Sequence, residues 1–156
     1  MATAEDAVHA SVSVEAPQEL CFHLFTQDWK TWWPLDTHHI GKVPAVDAVL
    51  EPHAGGRGYE RGVDGSTCTW GVVRAYEPPA RLLLGWQLDA DWKHDPACES
   101  EVEVRFVAEG PRRTRVELTH RRLEAFGARR GEVRGALGSP GGWPGLLERL
   151  RARAER

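Results

Sequence analysis

Val8, Ala10, Val12 and Val14 alternate with His9, Ser11, Ser13 and Glu15. A period of two predicts a strand with one buried face. The period then changes. Leu20, Cys21, Leu24 and Phe25 form a helical stripe, and Pro17 stands where a first turn tolerates proline, so a short helix is predicted over residues 17–26. A second short turn over 29–33 follows, with Asp28 as its cap and Pro34 as its stop. Residues 35–42 carry no period and read as loop.

Four further strands are predicted over 43–51, 57–61, 67–76 and 81–88. Pro52-His53-Ala54-Gly55-Gly56, Asp64-Gly65 and Glu77-Pro78-Pro79 separate them as turns. Leu82, Leu84, Trp86 and Leu88 share one face of the last of these strands, and 89–98 reads as polar loop. The clearest hairpin comes next. Val102, Val104 and Phe106 alternate with Glu101, Glu103 and Arg105 before a turn at Glu109-Gly110-Pro111. Val116 and Leu118 then alternate with Arg115, Glu117 and Thr119, and the inward series reaches His120. One apolar and one charged face suit an antiparallel sheet wetted on one side.

At the C-terminus Trp143, Leu146, Leu147 and Leu150 sit at i, i+3, i+4 and i+7, the spacing of one helix face. Residues 128–137 read as an earlier segment of that helix, kinked or interrupted at Ser139-Pro140-Gly141-Gly142. The order is one strand, two short helices, six strands and a helix. It predicts an α+β domain spanning 1–156, with an antiparallel sheet and its helices gathered on one face.

Composition narrows the function. A chain of 156 residues with 41% hydrophobic content suits one core. Charged residues make up 28%, and no apolar run approaches the roughly 20 residues that span a bilayer, so no membrane partner is expected. Met1-Ala2-Thr3-Ala4-Glu5-Asp6 lacks the basic start and apolar stretch of a secretory leader, which points to the cytoplasm. Cys21, Cys68 and Cys98 are odd in number and far apart, as expected of reduced thiols. Net charge is −3, and the arginines sit among glutamates as on a solvated face. No nucleic-acid partner follows. Seven tryptophans are many for this length, and they suit a dense core or an aromatic-lined pocket.

The ionisable candidates are few. His120 falls on the inward face at a strand end, where it could bond a ligand or move a proton. A histidine satisfied by a carbonyl or a helix end is the plainer reading, and it outweighs catalysis. Arg57 and Glu60 read as a surface ion pair of small energetic weight, or else as a paired polar lid or ligand contact. Asp36, His38 and His39 lack the spacing and the fourth ligand of a zinc site. Gly55-Gly56-Arg57-Gly58 precedes no helix and so forms no phosphate cradle. No nucleophile elbow is present. No catalytic residue, metal or cofactor is therefore expected.

Six segments occur in order: Trp32-Trp33-Pro34, Gly55-Gly56-Arg57-Gly58-Tyr59-Glu60, Trp70-Gly71-Val72-Val73, Glu77-Pro78-Pro79, Leu84-Gly85-Trp86 and Gly142-Trp143-Pro144. Together they resemble the START-like, or SRPBCC, superfamily over residues 8–151. The branch resembles the C-terminal domain of the activator of heat-shock protein 90 ATPase, and it is also similar to enediyne self-resistance proteins. The resemblance implies a helix-grip fold, a curved antiparallel sheet of about seven strands around the C-terminal helix. It also implies a ligand space between sheet and helix. Trp33, Tyr59, Trp70, Leu84, Trp86, Phe106, Leu118, His120, Trp143 and Leu147 are the residues expected to touch a ligand there.

Three functions follow as expectations. The first is non-catalytic binding of a small hydrophobic or aromatic molecule for sequestration, transport or resistance, driven by burial at roughly 25 cal/mol per Å². The second is a polyketide cyclase-like or hydrolase-like enzyme. The third is a co-chaperone-like interaction module, with a chaperone as partner by family analogy. A monomer or weak homodimer is expected.

Overall fold

The alternation near the N-terminus forms β1 (Val8–Val14) in a computed structural model that describes residues 7–156. The leader reading of residues 1–6 lies outside the described residues. α1 (Gln18–Thr26) follows and buries Cys21, Leu24 and Phe25 of the predicted stripe, with Phe22 buried as well and Leu20 only half-buried. The second helix is a single 3-10 turn, Trp29–Thr31. The Asp28 carboxylate does not cap it. The Asp28 carbonyl instead accepts from the Thr31 amide at 3.1 Å and the Thr31 hydroxyl at 2.7 Å.

The remaining strands are β2 (Ala45–Leu50), β3 (Arg57–Gly62), β4 (Thr67–Glu77), β5 (Arg81–Trp86), β6 (Ser100–Gly110) and β7 (Arg113–Arg121). They form one sheet in the order β1-β7-β6-β5-β4-β3-β2, with every neighbouring pair antiparallel. The chain is thus α+β, with β2 to β7 a continuous meander closed by β1 on the far side of β7. The predicted strand 81–88 stops at Trp86. Leu88 leaves the ladder and bridges only His94.

Two helices end the chain, α2 (Arg130–Leu137) and α3 (Trp143–Ala154). The interruption expected at 139–142 is a full break. At Gly142 a Cβ would stand 2.2 Å from the Leu137 carbonyl oxygen, so the turn between the helices closes only around a glycine. α3 buries Trp143, Leu146, Leu147 and Leu150 and packs against β1 and α1.

The outer face of the sheet is charged. Glu103 accepts from Arg81 at 2.7 Å and from Arg105 and Arg121 at 3.3 Å, and Glu101 accepts from Arg121 and Arg122 at 3.0 Å. The three thiols are free, two of them buried, and burial pushes each one up from its ordinary range. No helix among the described residues is long and apolar enough to cross a membrane.

Candidate ligand cavity

Five tryptophans from five parts of the chain meet in a closed circuit of ring contacts. Trp29 comes from the 3-10 turn, Trp33 from the loop after it, Trp70 from β4, Trp86 from β5 and Trp143 from the first position of α3. Centroid distances around the ring are 5.2 Å (Trp29–Trp70), 5.4 Å (Trp70–Trp86), 5.5 Å (Trp86–Trp143), 6.1 Å (Trp143–Trp33) and 4.6 Å (Trp33–Trp29). All five line a cavity of about 390 Å³. That lies within the roughly 300–1,000 Å³ typical of small-molecule sites.

Local sequence explains why these rings can meet. A Cβ on Gly58 of β3 would stand 2.7 Å from the Trp70 ring, so this glycine lets Trp70 lie flat on the sheet. Gly58→Ala is expected to push Trp70 into the cavity and to cost about 1–3 kcal/mol, the usual range for overpacking. Urea denaturation reads the stability change. Intact stability would mean that Trp70 is not held against β3.

Two polar segments frame the mouth. In the 35–42 loop, Trp33 Nε1 donates to the His38 carbonyl at 3.0 Å, and His38 Nε2 donates to the Gly141 carbonyl at 2.7 Å. That second bond ties the loop to the turn between α2 and α3. Glu60 faces inward and is buried, and its carboxylate accepts from the Ile40 amide at 2.5 Å and the Gly41 amide at 3.0 Å. The expected Arg57–Glu60 pair is absent because residues 57 and 60 point to opposite faces of β3. Arg57 stacks over the outward Tyr59 ring at 4.2 Å instead. His39 Nδ1 meets the Gly41 carbonyl at 3.1 Å, so backbone groups engage both histidines of the Asp36, His38, His39 cluster. Among the described residues no group of three His, Cys, Asp or Glu side chains could hold a metal.

His120 lies behind the ring. It is 0% exposed, and burial pushes it from its ordinary 6.5 down to about 3. An indole nitrogen can only donate, so the Trp143 Nε1–H bond of 3.0 Å to Nδ1 makes Nδ1 the acceptor. The proton of the neutral ring therefore sits on Nε2, 2.7 Å from the Ser100 hydroxyl. This histidine is a strut for Trp143, held by two side chains rather than by a carbonyl. Trp86 Nε1, by contrast, is buried with no hydrogen-bond partner. Trp143→Phe would orphan Nδ1, at a cost of about 1–3 kcal/mol beyond the lost ring volume. Trp86→Phe removes a donor that is already unpaired. Trp143→Phe is therefore expected to be the more destabilising of the two, and equal losses in denaturant would contradict the strut.

Of the residues expected from sequence, Trp33, Trp70, Trp86 and Trp143 line the cavity. Tyr59, Leu84, Phe106, Leu118, His120 and Leu147 lie outside its lining. Tyr59 faces away from the core side of β3. Phe106 is taken up by α1, with Phe22 at 5.2 Å and Phe25 at 5.9 Å. Leu84, Leu118 and Leu147 are sealed in the core.

The lining residues missed from sequence include Trp29 and Trp92, while Glu60 lines the cavity as the lid or ligand-contact alternative anticipated, without Arg57. Trp92 is 42% exposed and adopts φ 61°, the left-handed region. A bulky residue there is an outlier that costs on the order of 1–3 kcal/mol.

Comparison with known proteins places this geometry among relatives. Residues 15–155 match the family model described as Activator of Hsp90 ATPase homolog 1-like protein. The structure of an anthrahydroquino-γ-pyrone synthase, Txn09, is similar at 37% identity and TM-score 0.67, covering 94% of this chain and 96% of that one. The self-sacrificing resistance protein CalC from Micromonospora echinospora is similar at 32% identity and TM-score 0.73, with 97% and 96% covered. The Aha1 dimer from Colwellia psychrerythraea shares the fold at 14% identity and TM-score 0.62, with 96% of each chain covered. A comparison with the curated proteins found no match.

Proposed function

We propose that this chain, which belongs to the Activator of Hsp90 ATPase homolog 1-like family, works as a single domain that binds a small hydrophobic or aromatic molecule without transforming it. The observation that carries this reading is the set of five mutually contacting tryptophans that line a cavity of about 390 Å³. A ligand there would exchange water for apolar contact at roughly 25 cal/mol per Å² buried. Aromatic rings would add offset or edge contacts with the indoles. Likeness to a resistance protein supports sequestration as the purpose of such binding.

Likeness to a synthase at 37% identity favours a second reading, in which the bound molecule is also transformed. The polar groups at the cavity speak for the first. Both oxygens of Glu60 accept backbone amides, His38 spans the mouth, and His120 is sealed behind Trp143. Glu60 and His38 are thus committed to backbone partners, and His120 lies out of a ligand's reach. Across β5 to β7 the outer face of the sheet carries a network of ion pairs, which does not favour a co-chaperone-like apolar contact there.

Titration of the intrinsic tryptophan fluorescence with planar aromatic compounds tests the binding reading. Saturable quenching is the expected result, because six indoles border the site. A flat signal across the panel would remove its basis. Turnover of a bound compound, followed by chromatography, would favour the second reading.

A further inference from the structure

Six of the seven tryptophans have an aromatic neighbour. Trp29, Trp32, Trp33, Trp70, Trp86 and Trp143 all contact one another in pairs. Among the described residues Trp92 pairs with no ring, yet it lines the same cavity. It also stands in the left-handed region, which an indole side chain disfavours.

The surrounding turn is built to hold it there. The Trp92 amide donates to the Asp89 carbonyl at 3.0 Å, and the Asp89 amide donates to the Lys93 carbonyl at 2.9 Å. The Asp89 carboxylate accepts from the Asp91 amide at 2.8 Å and the Lys93 amide at 3.0 Å. Arg129 then pins Asp91 to the start of α2 at 2.7 Å. A large apolar ring held in strain, unpartnered and half in water, is well placed to stack on a ligand.

We infer that the cavity takes a planar aromatic ligand and that Trp92 is its outermost binding residue, the indole on which the ligand's mouth-facing ring stacks. The inference rests on the cavity reading above and adds to it the ligand class and a specificity-determining residue. An aliphatic molecule of similar polarity would fill the same space but would gain no stacking from Trp92.

Isothermal titration calorimetry with two probes, 9,10-anthraquinone-2-sulfonate and decanoate, tests it on wild type, W92A and W92F. W92A is expected to weaken the anthraquinone probe about tenfold, the equivalent of ~1.4 kcal/mol, and decanoate less than about twofold. W92F is expected to restore most of the loss, since it returns an aromatic face. Equal weakening of both probes in W92A, an unchanged anthraquinone affinity, or a W92F as weak as W92A would each overturn the inference. A wild type that binds decanoate alone would overturn it and leave the cavity reading standing. A wild type that binds neither probe would overturn both.

Discussion

Acid is expected to destabilise this protein through His120 alone by about 1.4 kcal/mol per pH unit, starting near pH 6.5. The sign follows from the two states. In the folded protein, burial holds His120 neutral until about pH 3. In the unfolded chain it takes up a proton near its ordinary value of about 6.5. Between those limits the unfolded state binds the extra proton, so stability falls as pH falls and levels off below about 3. Urea midpoints at pH 7, 6, 5 and 4 for wild type and His120→Gln measure the effect. The variant starts from lower stability, because Trp143 Nε1 and Ser100 lose their partner, but its decline over this range should be shallower. Parallel declines would mean that His120 is not held neutral behind Trp143.

The second large effect concerns the cavity itself. Ala48 on β2 is 9% exposed and its side chain borders the empty space. Ala48→Trp would place an indole where a ligand is proposed to lie. Binding of a planar aromatic probe should weaken by at least about thirtyfold, or ~2 kcal/mol. Stability should change little, because the added ring fills space instead of displacing packed neighbours. Retained affinity in a folded Ala48→Trp protein would place the probe elsewhere. Circular dichroism confirms that the variant is folded.

Much of the architecture was legible in the sequence, because periods of two and of 3.6 report which face is buried. The alternation at Val102–Phe106 and Val116–His120 marked the central hairpin, and Trp143, Leu146, Leu147 and Leu150 marked α3. The register of the turn at Gly142 was not legible. It depends on a 2.2 Å approach to the Leu137 carbonyl that no local pattern encodes. The candidate site was half legible. Trp33, Trp70, Trp86 and Trp143 were found from the strand and helix faces and from the matching segments. Trp29 and Trp92 were missed because a 3-10 turn and a loop carry no period.

The surface ion-pair reading of Glu60 failed for a different reason. Strand parity puts it inward, but its partners are amides of a loop that the sequence leaves without structure. Phe106, Leu118 and His120 show the converse. Alternation correctly turned them inward, but inward positions on β6 and β7 face α1 or the back of Trp143. The cavity sits instead toward β2 to β5. Periodicity reports depth, and only the packing of helices against the sheet decides which part of the interior stays open.

The most direct test of the account is a crystal structure of the protein soaked or grown with a planar aromatic compound that quenches its fluorescence. The account predicts the compound in the cavity lined by Trp29, Trp33, Trp70, Trp86 and Trp143, with one edge under Trp92. Density on the outer face of the sheet, with the tryptophan-lined cavity empty, would contradict it.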